Sequence, residues 1–440
     1  YVLIRDFETN EIVEKEEFEC LPLISPRDEI TYFDGWKCSK INTLKPNTKY
    51  RYEINFSGGN IVTYTENGIV ETAPLKGAKS NVKILVSSCM AAANNNNYEG
   101  GSPNHDPNQK VWQMINQKFP DIDISLFLGD THYANSWKRY VKFQHTMEQF
   151  KIGEYNEFVS RVPSYAIYDD HDFLDNNVVG AGYIGTQEKA GSILRDKASN
   201  NFHELWILPK ASDNRKSNEG IYHKITYGNV EIYMLDTRYF REPKYYDTYA
   251  KENGRFLSLL GSRNNILRID KQGRKFESNI PIGNRQWEWL HKEFQNYYLP
   301  EAKDRIKLIC FGSTYNYADH IIHEEAEHLS FYKEEIIELK KLLKGHSNVH
   351  FVTGDIHTLR IVEHNEFQVS PTLTEITSSG IGRRNIPDRQ GFAIIEINPL
   401  IENQLLEEIQ IKFYKLVRNG TEYKIEEIPR LNRNIEVIGD

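Results

Sequence analysis

From Val82 onward, short apolar runs alternate with segments of helical spacing, and each apolar run ends in polar, chemistry-bearing residues. "VKILVSSC" reads as a strand, and "NQKVWQMINQKF" carries Val111, Met114, Ile115 and Phe119 at helical spacing. "IDISLFLGD" is a second strand. Helical stretches follow around residues 139–158 and 186–206, and "IYHKITYGNVEIYMLDTR" reads as two strands meeting at Gly228-Asn229. "RIKLICFGS" and "NVHFVTGD" continue the series, before paired strands in "TEITSSG", "GFAIIEI" and "LEEIQIKFYKLV". Continuous apolar strands separated by amphipathic helices need cover on both faces, so this alternation predicts a mixed α/β layered domain.

Residues 1–75 follow a different period. "TKYRYEINF" sets Tyr50, Tyr52, Ile54 and Phe56 against Lys49, Arg51, Glu53 and Asn55, the two-residue repeat of a half-buried strand. The segment predicts a small β-sandwich, and "LKPNTKYRY" resembles the tyrosine-bearing corner of fibronectin type III domains. "TAPLKGAKSN" reads as a linker, which gives two units, 1–76 and 81–440.

Composition narrows the function. The 440 residues are 39% hydrophobic and 26% charged with a formal net of −8, so no polycationic nucleic-acid surface is expected. No apolar stretch approaches the ~20 residues needed to span a bilayer. Four cysteines are too few for a disulfide scaffold. Cys20 and Cys38 leave two readings open, a disulfide or two separate buried thiols, and Cys310 reads as core. The chain starts at Tyr1 without Met, which fits a processed or trimmed N-terminus.

Four clusters follow apolar strands, where the loops of an α/β sheet converge on the ligand crevice. They are Cys89; "GDTHY" with Asp130 and Tyr133; "YDDHDFLDNN" over Tyr168 to Asn177; and "GDIH" with Asp355 and His357. Singly, a Gly-Asp is more often a turn, a buried Cys a small hydrophobe and a lone His a core residue. Together they supply carboxylate, amide, imidazole, thiolate and phenolate donors, the set a pair of metal ions requires. A cation also explains how so many Asp residues tolerate one another.

The order Cys … "GDxxY" … "DDHD…NN" … "LDTRYFR" … "QWEWL" … "TGDIH" … "TSSG" resembles the PhoD-like alkaline phosphatase and phosphodiesterase family of the calcineurin-like metallophosphatase superfamily. The resemblance implies an αββα metallophosphatase sandwich behind an N-terminal Ig- or fibronectin type III-like domain. It implies phosphoester hydrolysis at a dinuclear or multinuclear centre that activates water for in-line attack on phosphorus. The implied metals are Fe3+ with Ca2+, or another divalent ion such as Zn2+, Mn2+ or Mg2+, and the substrate is a phosphate ester. Carried over residue by residue, Cys89 and Tyr133 would hold the ferric ion, Asp130 would bridge, and Asp355 and His357 would close the iron side. Asp170, Asp172 and Asn176 would face the second metal, with His171 as acid/base or phosphate contact, or as a ligand. Asp169, Asp175 and Asn177 would support them from behind. Arg238 would bind phosphate or pair with Asp236 or another buried acid.

Purple acid phosphatases share "GDxxY", but would need an Asp near position 89, a Gly-Asn-His stretch and a Gly-His-x-His near the C-terminus. This chain carries Cys89, "DDHD" and Gly-Asp-x-His instead. It departs from the PhoD-like pattern in Ala134, where an acid is common, in Asp172, where some members have Glu, and in showing no twin-arginine signal. The family is typically exported, which implies a secreted, periplasmic or surface protein. The alternatives are a phospholipase-type diesterase of the same family and a non-catalytic, metal-stabilised surface protein. "HIIHEEAEH" from His320 lacks the His-Glu-x-x-His spacing and reads as a solvated segment near the cleft. The Tyr-rich "RYFREPKYYDTY" reads as an aromatic wall or a loop packed on the sheet.

Overall fold

A computed structural model describes residues 1–16, 21–24, 31–34, 43–58, 61–90, 109–174, 180, 188–206, 220–241, 267–269, 275–277, 285–295, 305–315, 328–382, 390–398, 408–419 and 422–428. Asn176, Cys20, Cys38, "NNNN" at 94–97, most of the Tyr-rich segment and most of "HIIHEEAEH" lie outside the described residues.

Six strands come first: β1 (Val2–Asp6), β2 (Ile12–Glu16), β3 (Leu21–Ile24), β4 (Thr31–Asp34), β5 (Lys49–Gly58) and β6 (Ile61–Glu71). They form an antiparallel sheet ordered β2-β1-β5-β6 and a separate β3-β4 pair. The alternation expected of β5 holds at Tyr50, buried, and at Lys49 and Arg51, exposed. Asn55 departs from it, since this predicted outward residue is buried. Its Nδ2 donates to Glu53 at 2.6 Å, its Oδ1 accepts from Thr65 at 2.8 Å, and its carbonyl accepts from the Tyr1 ammonium at 2.8 Å. A polar side chain enters the interior here because its hydrogen bonds are made there.

After the linker come β7 (Val82–Ser87), α1 (Val111–Lys118), β8 (Ile124–Leu128), α2 (Arg139–Phe150), α3 (Gly153–Arg161), β9 (Ser164–Ile167), the single turn α4 (Asp170–Phe173) and α5 (Glu188–Leu205). The strands β10 (His223–Tyr227), β11 (Val230–Met234), β12 (Leu267–Ile269), β13 (Lys275–Glu277), β14 (Ile306–Cys310), β15 (Val349–Thr353), β16 (Leu359–His364), β17 (Leu373–Ser378), β18 (Gly391–Asn398), β19 (Glu408–Asn419) and β20 (Glu422–Glu427) complete the order. Two six-stranded sheets result, β20-β19-β18-β7-β8-β9 and β10-β11-β14-β15-β17-β16. In the first, β7, β8 and β9 are parallel; in the second, β11, β14, β15 and β17 are parallel. Antiparallel strands flank both sets.

Strand periodicity divides the second sheet between two apolar layers. Ile232, Leu308, Cys310, Val352 and Ile376 join the core shared with the first sheet, including Cys310 as expected. Tyr233, Ile309, Phe311 and Phe351 face the other way, onto Trp287 and Leu290 of the helix Arg285–Gln295 and Leu339 of the helix Lys333–Leu343. On the first sheet, Phe127 meets Trp112 of α1, and Trp112 also packs on Tyr155 and Phe158 of α3. Helices therefore cover the outer faces while the two sheets share the inner core. The parallel strands aim their carboxyl ends at one edge, and the polar clusters gather there.

Trp112 is fully buried, and its indole N–H donates to Gln109 at 2.7 Å. Trp112→Ala is expected to cost about 3–5 kcal/mol through the lost contacts and the cavity left behind, read as a lower denaturant midpoint at constant slope.

Candidate metal centre

Each strand end turns sharply into its ligands. Cys89 (φ 58°), Asp130 (φ 55°), Tyr133 (φ 42°), Asp355 (φ 72°) and His357 (φ 50°) all lie in the left-handed region, five of the ten described non-glycine residues that do. Such backbone costs of order 1–3 kcal/mol per residue and persists where the surroundings impose it, typically at functional sites.

The turns bring ligand atoms together in three overlapping trios, each within 4.8 Å: Cys89, Asp130 and His357; Asp130, Asp170 and His171; Asp169, Asp170 and Asp355. Asp130 belongs to the first two and Asp170 to the last two. The Cys89 thiol donates to Asp130 Oδ2 at 3.4 Å and lies 3.1 Å from Ser379 Oγ. Tyr133 extends the same side, its hydroxyl 3.0 Å from His357 Nε2. Asp130 Oδ1 is buried with no hydrogen-bond partner among the described residues, a cost that a cation between these groups would remove. The donors fit metal: thiolate, phenolate and imidazole on one side, carboxylates on the other.

Not every sequence-predicted residue turns toward the cluster. Asp172 is spent on the backbone: its Oδ1 accepts from Thr131 N (2.8 Å), Thr131 Oγ1 (2.9 Å) and His132 N (3.1 Å), and lies 2.6 Å from His132 Nδ1. Burial would raise this carboxyl, but His132, Lys142 and the Thr131 N–H outweigh it and bring it down to about 2. Asp172 thus locks the loop after β8 to α4. Asp355 is also placed differently, with its carboxylate beside Asp169 and Asp170 while its carbonyl accepts from the Cys89 thiol at 3.6 Å.

Asp169 caps α4, as a supporting residue should, and also completes the third trio. Gly129 and Gly312 make room for it, since a Cβ at Gly129 would sit 2.4 Å from Asp169 Cβ and one at Gly312 2.7 Å from its Oδ1. Arg238 is fully buried, donates from Nε to Asp169 and from Nη2 to Ser313 Oγ at 3.1 Å, and approaches Asp170 at 3.9 Å. The ion pair expected as the alternative to phosphate binding is therefore present, with Asp169 as partner. Asp236 instead accepts the backbone N–H groups of Ile221, Arg238 and Tyr239 at 2.9–3.0 Å, and so pins the loop that carries Arg238.

Several contributors escaped the sequence reading. Arg241 is buried and donates to Ser313 at 3.1 Å and to the Tyr332 hydroxyl at 2.9 Å. Glu375 accepts from Tyr315 N (2.9 Å) and Thr353 Oγ1 (3.0 Å), bracing the turn that leads to Asp355. Ser379 takes the His357 N–H at 3.0 Å. Arg241 and Ser379 stood inside the motifs "LDTRYFR" and "TSSG" with no role assigned to either, and Glu375 lies within β17.

A site of buried carboxylates and thiol, built on the carboxyl ends of two facing parallel strand sets, defines a metal-dependent phosphoester hydrolase once the relatives are considered. The family model of PhoD-like phosphatases matches residues 86–422, and the chain belongs to that family. Among solved structures, the fold is similar to that of PhoD, with TM-score 0.55 and 14% identity over 99% of this chain and 86% of that one. It is also similar to the purple acid phosphatase PPD1 from yellow lupin (Lupinus luteus) seeds, with TM-score 0.58 and 14% identity over 94% of this chain and 66% of that one. No curated protein sequence matches.

Burial first, then the charges of Asp170, Asp169, Asp172 and Asp355, push the Asp130 carboxyl well above its usual range. Burial, then the Asp130 charge, does the same to the Cys89 thiol. A folded-state carboxyl pKa above the unfolded value of ~3.9 contributes stability at low pH that is lost as pH rises through the folded pKa. Metal-free protein is accordingly expected to lose melting temperature as pH rises from about 4 through that raised folded value. Asp130→Asn should flatten that loss, which differential scanning calorimetry after chelation would measure.

Proposed function

We propose that the chain hydrolyses phosphate mono- or diesters at a two-ion centre in which Asp130 is the shared ligand. The observation that carries this is the overlap of the trios, because one buried carboxylate serves both the Cys89/His357 side and the Asp170/His171 side. Cys89, Tyr133, Asp130 and His357 would hold a ferric ion. Asp130, Asp170, Asp355 and Asn176 would hold calcium or another divalent ion, with Asp169 at the margin. When bound, the ions supply charge neutralisation for phosphoryl oxygens and a water acidified toward neutral pH. The chain's own part is positioning: the strained turns hold the donors, Arg238 pairs with Asp169 and holds it in place, and His171 presents a proton to the leaving oxygen.

Residues 1–76 fit an Ig- or fibronectin type III-like unit joined through 72–81 to the catalytic unit 81–440; the antiparallel sheet β2-β1-β5-β6 supports that reading. Among the described residues no helix is long and apolar enough to cross a membrane. Export, typical of the family, is the proposed setting.

Two measurements test the centre. Elemental analysis with a visible spectrum should find iron and a charge-transfer band from Tyr133 or Cys89, whereas zinc or manganese alone would overturn the iron assignment. Asp130→Asn should lower turnover of p-nitrophenyl phosphate and bis-p-nitrophenyl phosphate by roughly 100-fold or more, the scale of lost metal activation. Full turnover in that variant, or none in metal-verified native protein, would sink the proposal.

A further inference from the structure

Glu375 stands behind two of the loops that build the metal centre and joins them. Its Oε1 accepts from Tyr315 N at 2.9 Å and from Thr353 Oγ1 at 3.0 Å. Tyr315 lies in the loop after β14, which places Gly312 and Ser313 around Asp169 and Arg238. Thr353 ends β15, directly before the turn that carries Asp355 and His357. The two loops also meet at Gly354 N and Gly312 O, 3.1 Å apart. One fully buried carboxylate therefore sets the spacing between the Asp169 side and the His357 side of the site.

The other oxygen, Oε2, faces buried His364 at the end of β16, whose Nε2 lies 3.0 Å away. The opposite nitrogen, Nδ1, is 3.5 Å from Glu366 Oε1. Ionised carboxylates only accept, so an acceptor opposite each nitrogen calls for a proton on each, and the ring is an imidazolium. Burial disfavours that charge, but Glu366 and Glu375 outweigh it and hold the imidazole above its ordinary range. Arg360 Nη2 adds a second cation 3.7 Å from Glu375 Oε2. Tyr315 closes the circuit: its hydroxyl donates to Glu366 Oε1 at 3.2 Å, and its ring meets His364 edge-on with centroids 4.6 Å apart.

We propose that His364 is a positioning residue for the metal centre: it holds the Glu375 carboxylate, and through it the loops after β14 and β15, at the separation the ligands need. The proposal rests on the reading of Asp355 and His357 as metal ligands. His364 belongs to none of the ligand trios, and its bonds run to Glu375, Glu366 and Tyr315 instead. A neutral side chain at 364 leaves Glu375 and Glu366 to repel each other across the width of one imidazole. The Glu375 bonds to Thr353 and Tyr315 then loosen, and the two halves of the site lose their common anchor.

The test uses the full chain with His364→Gln, which keeps a donor but not the charge, and with Trp112→Ala as a destabilised control on the other sheet. In metal-free protein, amide hydrogen exchange should rise over 312–315 and 353–357 in His364→Gln and stay native in α1, whereas Trp112→Ala should do the reverse. In a chelator competition, His364→Gln should hold its ions roughly 10- to 100-fold more weakly, the scale of losing a group that orients ligands, and Trp112→Ala should match the native chain. Glu366→Gln, at a half-buried position, should move both readouts the same way by less, and it carries the test where His364→Gln does not fold. Native metal affinity in His364→Gln, or in Glu366→Gln where only that variant folds, would overturn the proposal, as would effects equal to those of Trp112→Ala. A native chain that binds metal but cleaves no phosphate ester sinks the hydrolase reading and leaves the His364 assignment to the two readouts. A native chain that binds no metal overturns both.

Discussion

Repulsion among buried carboxylates is the constraint around which the rest of this structure is arranged. Asp130, Asp169, Asp170 and Asp172 are all nearly or fully buried within one small region. Two unit charges about 4 Å apart repel by about 4 kcal/mol even at an effective dielectric of about 20, comparable to the whole stability of a marginal domain. The fold meets this unevenly. Arg238 is committed to Asp169, while His132, Lys142 and backbone N–H groups are committed to Asp172. Asp130 has no protein cation against it among the described residues, and one of its oxygens has no hydrogen-bond partner there. The residual negative charge sits where the ligand trios overlap, which is where a metal-dependent hydrolase needs it.

The same economy governs the backbone. Five donors hold left-handed conformations that an L-residue avoids when unconstrained. What imposes them is the surrounding bonding: Glu375 on Thr353 and Tyr315, Ser379 on His357, and Lys142 on the loop carrying Tyr133. These residues never touch the reacting atoms, but preorganisation of the ligand atoms depends on them. Asp236 and Gln286 serve the Arg238 loop in the same manner, through bonds to Ile221, Arg238 and the Asp236 backbone.

Much of this was legible along the chain. Apolar runs ending in Gly-Asp or Cys placed strands, their carboxyl ends and the chemistry together, because strand burial and loop function obey local rules. The coincidence of four donor-bearing clusters pointed to metal. Side-chain direction was much less legible. "DDHD" does not reveal that Asp172 faces the loop after β8 while Asp169 and Asp170 face the cluster, since one turn of helix spreads four consecutive side chains around its axis. Asp355 and His357, two residues apart, part company for a comparable reason, because both sit in left-handed turns. Asn55 broke its strand's alternation through hydrogen bonds to Glu53, Thr65 and the amino terminus that no periodicity encodes.

By itself, then, the sequence determined the two strand regimes, the placement of donors at strand ends, the need for a cation and the family. Tertiary structure alone decided which carboxylates face that cation and which are spent on lysine, arginine and backbone N–H. It also brought Asn135, 36 residues before His171, to within 2.8 Å of the His171 ring. The physical reason is range. Periodicity and turn chemistry act over a few residues, whereas charge compensation and hydrogen bonding depend on distances in space, set only when the two sheets pack face to face with their loops converging.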